Sequence, residues 1–331
     1  VLAALPPPVL VAVVAVGAYV ATACVFGLAL VRARALARRG PPRATANRAP
    51  PTLSAPTRIA FLGDVQRGLR EVAGPVVAAL RAEGATLLVS SGDLASHGEA
   101  PYHGLVGAAF DRAGLDVPLL VAPGNHDVER SGHAAGDEGR ARFEALVGPR
   151  RFTARVGPLL VVGVDDGLDP LDADVWSWVG ERVAAHDGPW VYVGHRPPRR
   201  MLEPGFPPAP RCAELLAVFA RRPPVLAVSG HLAHDAEAVV DGVRYVVNAE
   251  GGDVAGGAWF APPTFHLRVA DVDAAGRVTL RRLALRRRTS VATTLDQLLV
   301  RAWSSGRRFP ALLFAAPARA LVRVFRGNVD P

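Results

Sequence analysis

Lysine is missing from this chain of 331 residues, so all 38 of its basic side chains are arginine, and 30 acidic residues leave a formal charge of +8. Such a surplus would ordinarily raise nucleic acid or an anionic membrane as a partner. The exclusive use of arginine, beside heavy use of Ala, Gly, Pro and Val, fits a GC-rich coding bias, and the charge is discounted as functional evidence. No basic stripe interleaved with aromatics accompanies it, which argues against a nucleic-acid partner. Cysteine is scarce as well. Cys24 and Cys212 cannot build a disulfide framework, and a reducing compartment is permitted. Two catalytic motifs are also missing: there is no Gly-x-Ser-x-Gly elbow and no Gly-x-x-x-x-Gly-Lys phosphate loop, so neither a serine nucleophile of that type nor a nucleotide cradle is expected.

Charge is missing from the whole stretch Val1–Val31, and its run from Val9 to Val31 exceeds the roughly 20 residues that a helix needs to span a bilayer. Residues 1–35 are therefore expected to form a transmembrane anchor with a basic flank. Arg32, Arg34, Arg38, Arg39, Arg43 and Arg48 follow, with no acidic residue before Asp64, which places the remainder of the chain on the cytoplasmic side of a single-pass membrane protein. A cleaved signal peptide would carry positive charge ahead of the apolar run, and a buried core helix is rarely so long. Residues 36–56 are Pro-rich and aperiodic and read as a linker.

Beyond the linker, short apolar runs alternate with helical patterns, the pattern of strand-helix units with buried strands. The closing segments look like hairpins, with Asp241-Gly242 and Ala274-Ala275-Gly276 as turns. One α/β domain is expected over residues 57–285. Residues 286–331 form a basic, partly amphipathic tail, which either packs on the domain or lies on the anionic inner leaflet.

What is present in abundance is a repeated ending. Asp64 follows "IAFLG", Asp93 follows "LLVSSG", Asn125 and His126 follow "LLVAPG", His195 follows "VYVG" and His231 follows "LAVSG". Five apolar runs thus end in Gly and then a side chain able to bind metal. In an α/β sheet, ligands collect beyond the carboxyl ends of the strands, where such side chains converge. A single histidine of this kind is more often a hydrogen-bonded structural residue. Five coincident cases favour a shared site.

The ordered blocks "GDVQ", "GD", "GNHD", "GH" and "GHLAH" resemble the calcineurin-like metallophosphoesterases from about Arg58 to Leu285. The resemblance implies a four-layer αββα sandwich of two mixed β-sheets, with two divalent ions (Mn, Fe, Zn or Mg) at one edge. Asp93 would bridge the ions, and Asn125, His195 and His231 would complete the second site. His126 would protonate the leaving oxygen or donate to the phosphate, with Asp127 orienting its ring. The first ion is left with Asp64, Gln66 and His234, because Gln66 stands where the family has His and His234 falls one residue late. A Gln carbonyl suits Mg²⁺ or Mn²⁺ better than Zn²⁺. Arg196, Arg199 and Arg200 follow His195 and are either phosphate contacts or a solvated face. His97 reads as a neighbour of the site, and His103, His133, His186 and His266 as structural. The activity implied is hydrolysis of a phosphoester or pyrophosphate by a metal-activated water, and the expected anchor would suit a lipid-linked substrate. The competing expectation is a catalytically weakened membrane protein of the same fold that binds a phospho-ligand or a protein.

Overall fold

A computed structural model describes residues 6–129, 136–198, 208–232, 235–248 and 264–288, without the side chains of residues 7, 8, 10, 11, 22, 25, 26 and 67. Helix α1 covers Pro7–Arg39. The chain divides after Ala35, and the second compact unit is Leu36–Thr294. The expected membrane span is not shown: among the described residues, no helix is long and apolar enough to cross a membrane. Five side chains within the uncharged run Val9–Val31 lie outside the description, so the described apolar stretch is shorter than the sequence run. The expected C-terminal tail lies outside the described residues from residue 289 onward.

The second unit is built on two mixed sheets. Strands β2 (Thr57–Leu62), β3 (Leu87–Ser90) and β4 (Leu119–Val121) run parallel and adjacent. They are connected through helices α2 (Leu69–Glu83) and α3 (Ala100–Ala113). Antiparallel strands β11 (Thr264–Val272) and β12 (Val278–Arg286) extend this sheet to the order β12-β11-β2-β3-β4. The second sheet contains β1 (Thr52–Leu53), β5 (Phe152–Val156), β6 (Leu159–Gly163), β7 (Trp190–Val193), β8 (Leu226–Ser229), β9 (Asp235–Val240) and β10 (Val243–Asn248), in the order β1-β5-β6-β7-β8-β10-β9. The β9–β10 hairpin turns through Asp241 and Gly242, both with positive φ, the backbone that a two-residue turn of this kind needs.

Period-two alternation decides which side chains meet. Val161, Val191, Val193 and Val228 face Ile59, Phe61, Leu87 and Val89 across the sandwich. Their neighbours Leu160, Val162, Trp190 and Tyr192 point the other way, onto helices α4 (Val175–Ala184) and α5 (Cys212–Arg221) through Trp176, Val179, Leu215 and Phe219. Burial on both faces explains why these strands read as continuous apolar runs.

Part of the expected linker is docked. Ala46 donates to Leu119 O and Leu119 donates to Ala44 O, each at 2.8 Å. The buried Asn47 amide exchanges two 2.8 Å bonds with the backbone of Val121. β4 is an edge strand, and these bonds satisfy groups that its open edge would otherwise leave unpaired.

Candidate metal centre

Three consecutive parallel strands of one sheet and two adjacent parallel strands of the other end at a common edge. β2 delivers Asp64, β3 delivers Asp93 and β4 delivers Asn125, while β7 and β8 deliver His195 and His231. The tips are stapled to one another by backbone bonds: Asp64 N to Gly92 O at 3.0 Å, Gln66 N to Asp93 O at 3.1 Å and Gly230 N to His195 O at 2.9 Å. Asp64, Gln66, Asp93 and His231 have φ of 52°, 39°, 56° and 70°. A non-glycine residue in this region costs about 1–2 kcal/mol, and such outliers gather where function fixes the backbone. Gly92, with φ of 97°, admits closer approach still, since a Cβ there would stand 2.5 Å from His195 Nδ1 and 2.7 Å from Gly124 N.

Donor atoms converge at this edge. Asn125 Oδ1 lies 3.0 Å from His195 Nε2 and 3.2 Å from His231 Nδ1, and the two imidazole nitrogens are 3.2 Å apart. Asp93 Oδ1 is 3.5 Å from His195 Nε2, and ligand atoms of Asp64, Asp93 and His195 all fall within 4.8 Å of one another. Burial pulls the pKa of His195 and of His231 down to about 3, so both rings are neutral near pH 7 and the contact with Asp93 is no ion pair.

The tautomer of His195 tests whether a cation fits. Its Nδ1 is 2.9 Å from Ser91 O, and a carbonyl only accepts, so Nδ1 carries the proton and Nε2 presents a lone pair. That lone pair faces the oxygens of Asn125 and Asp93, an arrangement that repels itself unless a cation lies between. Separations near 3 Å are those expected between adjacent ligands on one ion with bonds of about 2.1 Å. Asp93 points the same way: burial raises its pKa to about 7, outweighing the charge of His126 and the bonds from the His126 N–H and Gln66.

The remaining expected residues divide. His126 lies beside the cluster, with its N–H on Asp93 Oδ1 at 2.9 Å and its Nδ1 3.1 Å from Ser96 O. Asp127 was expected to orient that ring. Its carboxylate instead accepts the backbone N–H groups of Asp93, Ala95 and Gly124 at 2.7, 2.8 and 2.9 Å, bracing the loops that carry Asp93 and Asn125. Gln66 was expected to offer its carbonyl oxygen to an ion. Its Nε2 donates to Asp93 Oδ2 at 3.0 Å. Asp64 accepts the His231 N–H at 3.0 Å. His234 lies outside the described residues, as do His133, Arg199 and Arg200. His97 stacks edge-on against Tyr102 and His126 at 4.9 and 6.0 Å, and buried His103 reaches Asp127 O at 3.1 Å.

Asp166 was missed. It follows β6, the parallel neighbour of β7, and is fully buried. Its carboxylate takes the N–H of His195, the N–H of Arg196 at 3.1 Å and the Tyr192 hydroxyl at 2.7 Å, and burial raises its pKa to about 6. The signal lay in "LLVVGVDDG", another apolar run ending in carboxylates.

The model of the calcineurin-like phosphoesterase family matches residues 57–235, more than half of the chain. The chain belongs to this family. Among solved structures, the chain is similar to a dimetal phosphatase from Danio rerio, with a TM-score of 0.52 at 13% identity over 70% of this chain and 99% of that one. It is also similar to the purple acid phosphatase PPD1 from yellow lupin (Lupinus luteus) seeds, with a TM-score of 0.52 at 15% identity over 74% of this chain and 56% of that one. At these identities the likeness is one of fold. A comparison with curated proteins finds no match. The family implies divalent metal ions and phosphorylated substrates, and Asp64, Asp93 and His195 form a candidate ligand cluster.

Proposed function

We propose that this calcineurin-like phosphoesterase hydrolyses a phosphoester or pyrophosphate at the edge where the five strand tips meet. The observation that carries the reading is the convergence of Asn125, His195 and His231, with ligand atoms 3.0–3.2 Å apart, and of Asp93, whose Oδ1 is 3.5 Å from His195 Nε2, beside the half-buried ring of His126. These four residues would hold one divalent ion, and Asp64, with Asp93 shared, the second. When bound, such ions neutralise phosphate charge and bring a water to near-neutral acidity for attack on phosphorus. The protein's own contribution is order. Asp127 and Asp166 pin the loops, and Ser91 fixes the His195 tautomer. Ser96 O takes the Nδ1 proton of His126, which leaves Nε2 as the nitrogen that would exchange a proton with the leaving oxygen. An anchor at the N-terminus, with the domain on the cytoplasmic face, is part of the proposal and rests on the uncharged run Val9–Val31 and the arginines after it. A lipid-linked substrate would suit that placement.

A second reading, a binding module of the same fold, is favoured by Gln66, whose amide nitrogen turns to Asp93 where a first-ion ligand was expected. The test is turnover of p-nitrophenyl phosphate and bis-p-nitrophenyl phosphate by the purified full chain with Mn²⁺. Metal-dependent turnover, lost in Asp93→Ala and His126→Ala, is expected. No turnover with Mn²⁺, Mg²⁺, Zn²⁺ or Fe²⁺ would leave the binding module.

A further inference from the structure

Several arginines of the domain meet a carboxylate. Arg58 pairs with Asp271 at 2.6 Å, Arg140 and Arg150 share Asp165, and Arg268 holds Asp235 at 2.7 Å. Arg196 differs. Its backbone N–H is fixed on Asp166, and its Nε is buried with no hydrogen-bond partner among the described residues; the Nε of Arg268 is unpartnered too, but both terminal nitrogens of Arg268 rest on carboxylates. No described carboxylate lies within ion-pair distance of its guanidinium. A buried guanidinium nitrogen left without an acceptor loses its hydration for nothing in return. Such a group is matched by an anion arriving from outside.

Position says which anion. Arg196 follows the ligand residue His195 directly, and its charge is felt at both His195 and His231. Asp166 accepts the backbone N–H groups of both His195 and Arg196 and so holds Arg196 on the loop that sets His195. A guanidinium presents a planar fork matched to two oxygens of one phosphoryl group. A monoester or a terminal pyrophosphate group has three non-bridging oxygens and about two negative charges near pH 7, whereas a diester has two such oxygens and one charge. An added cation thus favours the former.

We propose that Arg196 binds the phosphoryl group of the substrate directly and biases the site towards phosphomonoesters or terminal pyrophosphate groups over diesters. This deepens the phosphoesterase reading and rests on it for the substrate class, but not for the anion contact itself.

The test compares the full-length wild type with Arg196→Met and Arg196→Lys, each loaded with Mn²⁺. Three quantities are read: affinity for inorganic phosphate by titration calorimetry, Mn²⁺ affinity, and kcat/KM for p-nitrophenyl phosphate against its bis ester. Arg196→Met is expected to weaken phosphate binding about tenfold or more, the size of a lost charge-assisted contact, with Mn²⁺ affinity unchanged. Its monoester kcat/KM should fall several-fold further than its diester value, and Arg196→Lys should recover part of the loss. Phosphate affinity that is unmeasurable in the wild type, or equal in wild type and Arg196→Met, overturns the inference. So does a parallel loss of Mn²⁺, which would make Arg196 a support of the metal site. Wild type that hydrolyses neither ester while Arg196→Met still loses phosphate would sink the hydrolase and leave the phosphate contact standing.

Discussion

The two halves of the candidate centre are built to different standards. On one side, Asn125, His195 and His231 bring ligand atoms to 3.0–3.2 Å of one another, with Asp93 Oδ1 3.5 Å from His195 Nε2, and two of the four are held from behind, His195 by Ser91 and Asp166 and Asp93 by Asp127. On the other, Asp64 is the described carboxylate, and the amide beside it, Gln66, spends its nitrogen on Asp93. A metal ligand is only as good as the bonds that aim it. The difference teaches that the side whose residues keep the family's pattern is the one whose ligand atoms are seen to converge among the described residues.

Several changes would break or sharpen that contrast. Asp93→Ala removes the carboxylate common to both sides, and Mn²⁺ affinity should collapse together with turnover, which is expected to fall at least about 10³-fold in kcat. Asn125→Ala should cost about 100-fold in affinity for the tighter ion, against less than about tenfold for Gln66→Ala. Equal losses in a calorimetric titration would erase the distinction between the halves. Gln66→His, which installs an imidazole in place of the amide, should raise the number of Mn²⁺ ions retained after dialysis. Asp166→Asn, read by Mn²⁺ affinity and thermal midpoint together, should weaken the His195 side about tenfold and leave a Gln66→His gain intact.

The smallest effect expected is one of pH. Burial raises the Asp93 carboxyl to about 7, so in the metal-free protein a proton competes with the ion below that value. His195 and His231, depressed to about 3, are already neutral and add no competition. Mn²⁺ affinity should therefore fall as pH drops through 7, by less than about tenfold between pH 7.5 and 6.5, the limit set by one proton. A steeper fall would mean that an imidazole is also being discharged, against its described burial.

Much of the fold could be read from the chain because buried parallel strands require apolar runs, and the runs beginning at Ile59, Leu87 and Leu119 are where the strands lie. The two-residue turn at Asp241-Gly242 was legible for the same local reason. Residues 44–47 were not, since nothing local marks Asn47 as the amide that closes the edge of β4. Asp166 was overlooked because its partners, His195, Arg196 and Tyr192, lie 26 to 30 positions away.

By itself the amino-acid order determined which side chains stand at which strand ends, because alternation of burial along a strand and glycine at its tip are properties of neighbouring residues. Where each polar atom points was decided only by the folded chain. Asp127 bracing three backbone N–H groups instead of a ring, Gln66 turning its nitrogen to Asp93 and Arg196 left without a described counter-ion all depend on partners brought close by packing two sheets, and a hydrogen bond has no reach along the sequence, only through space.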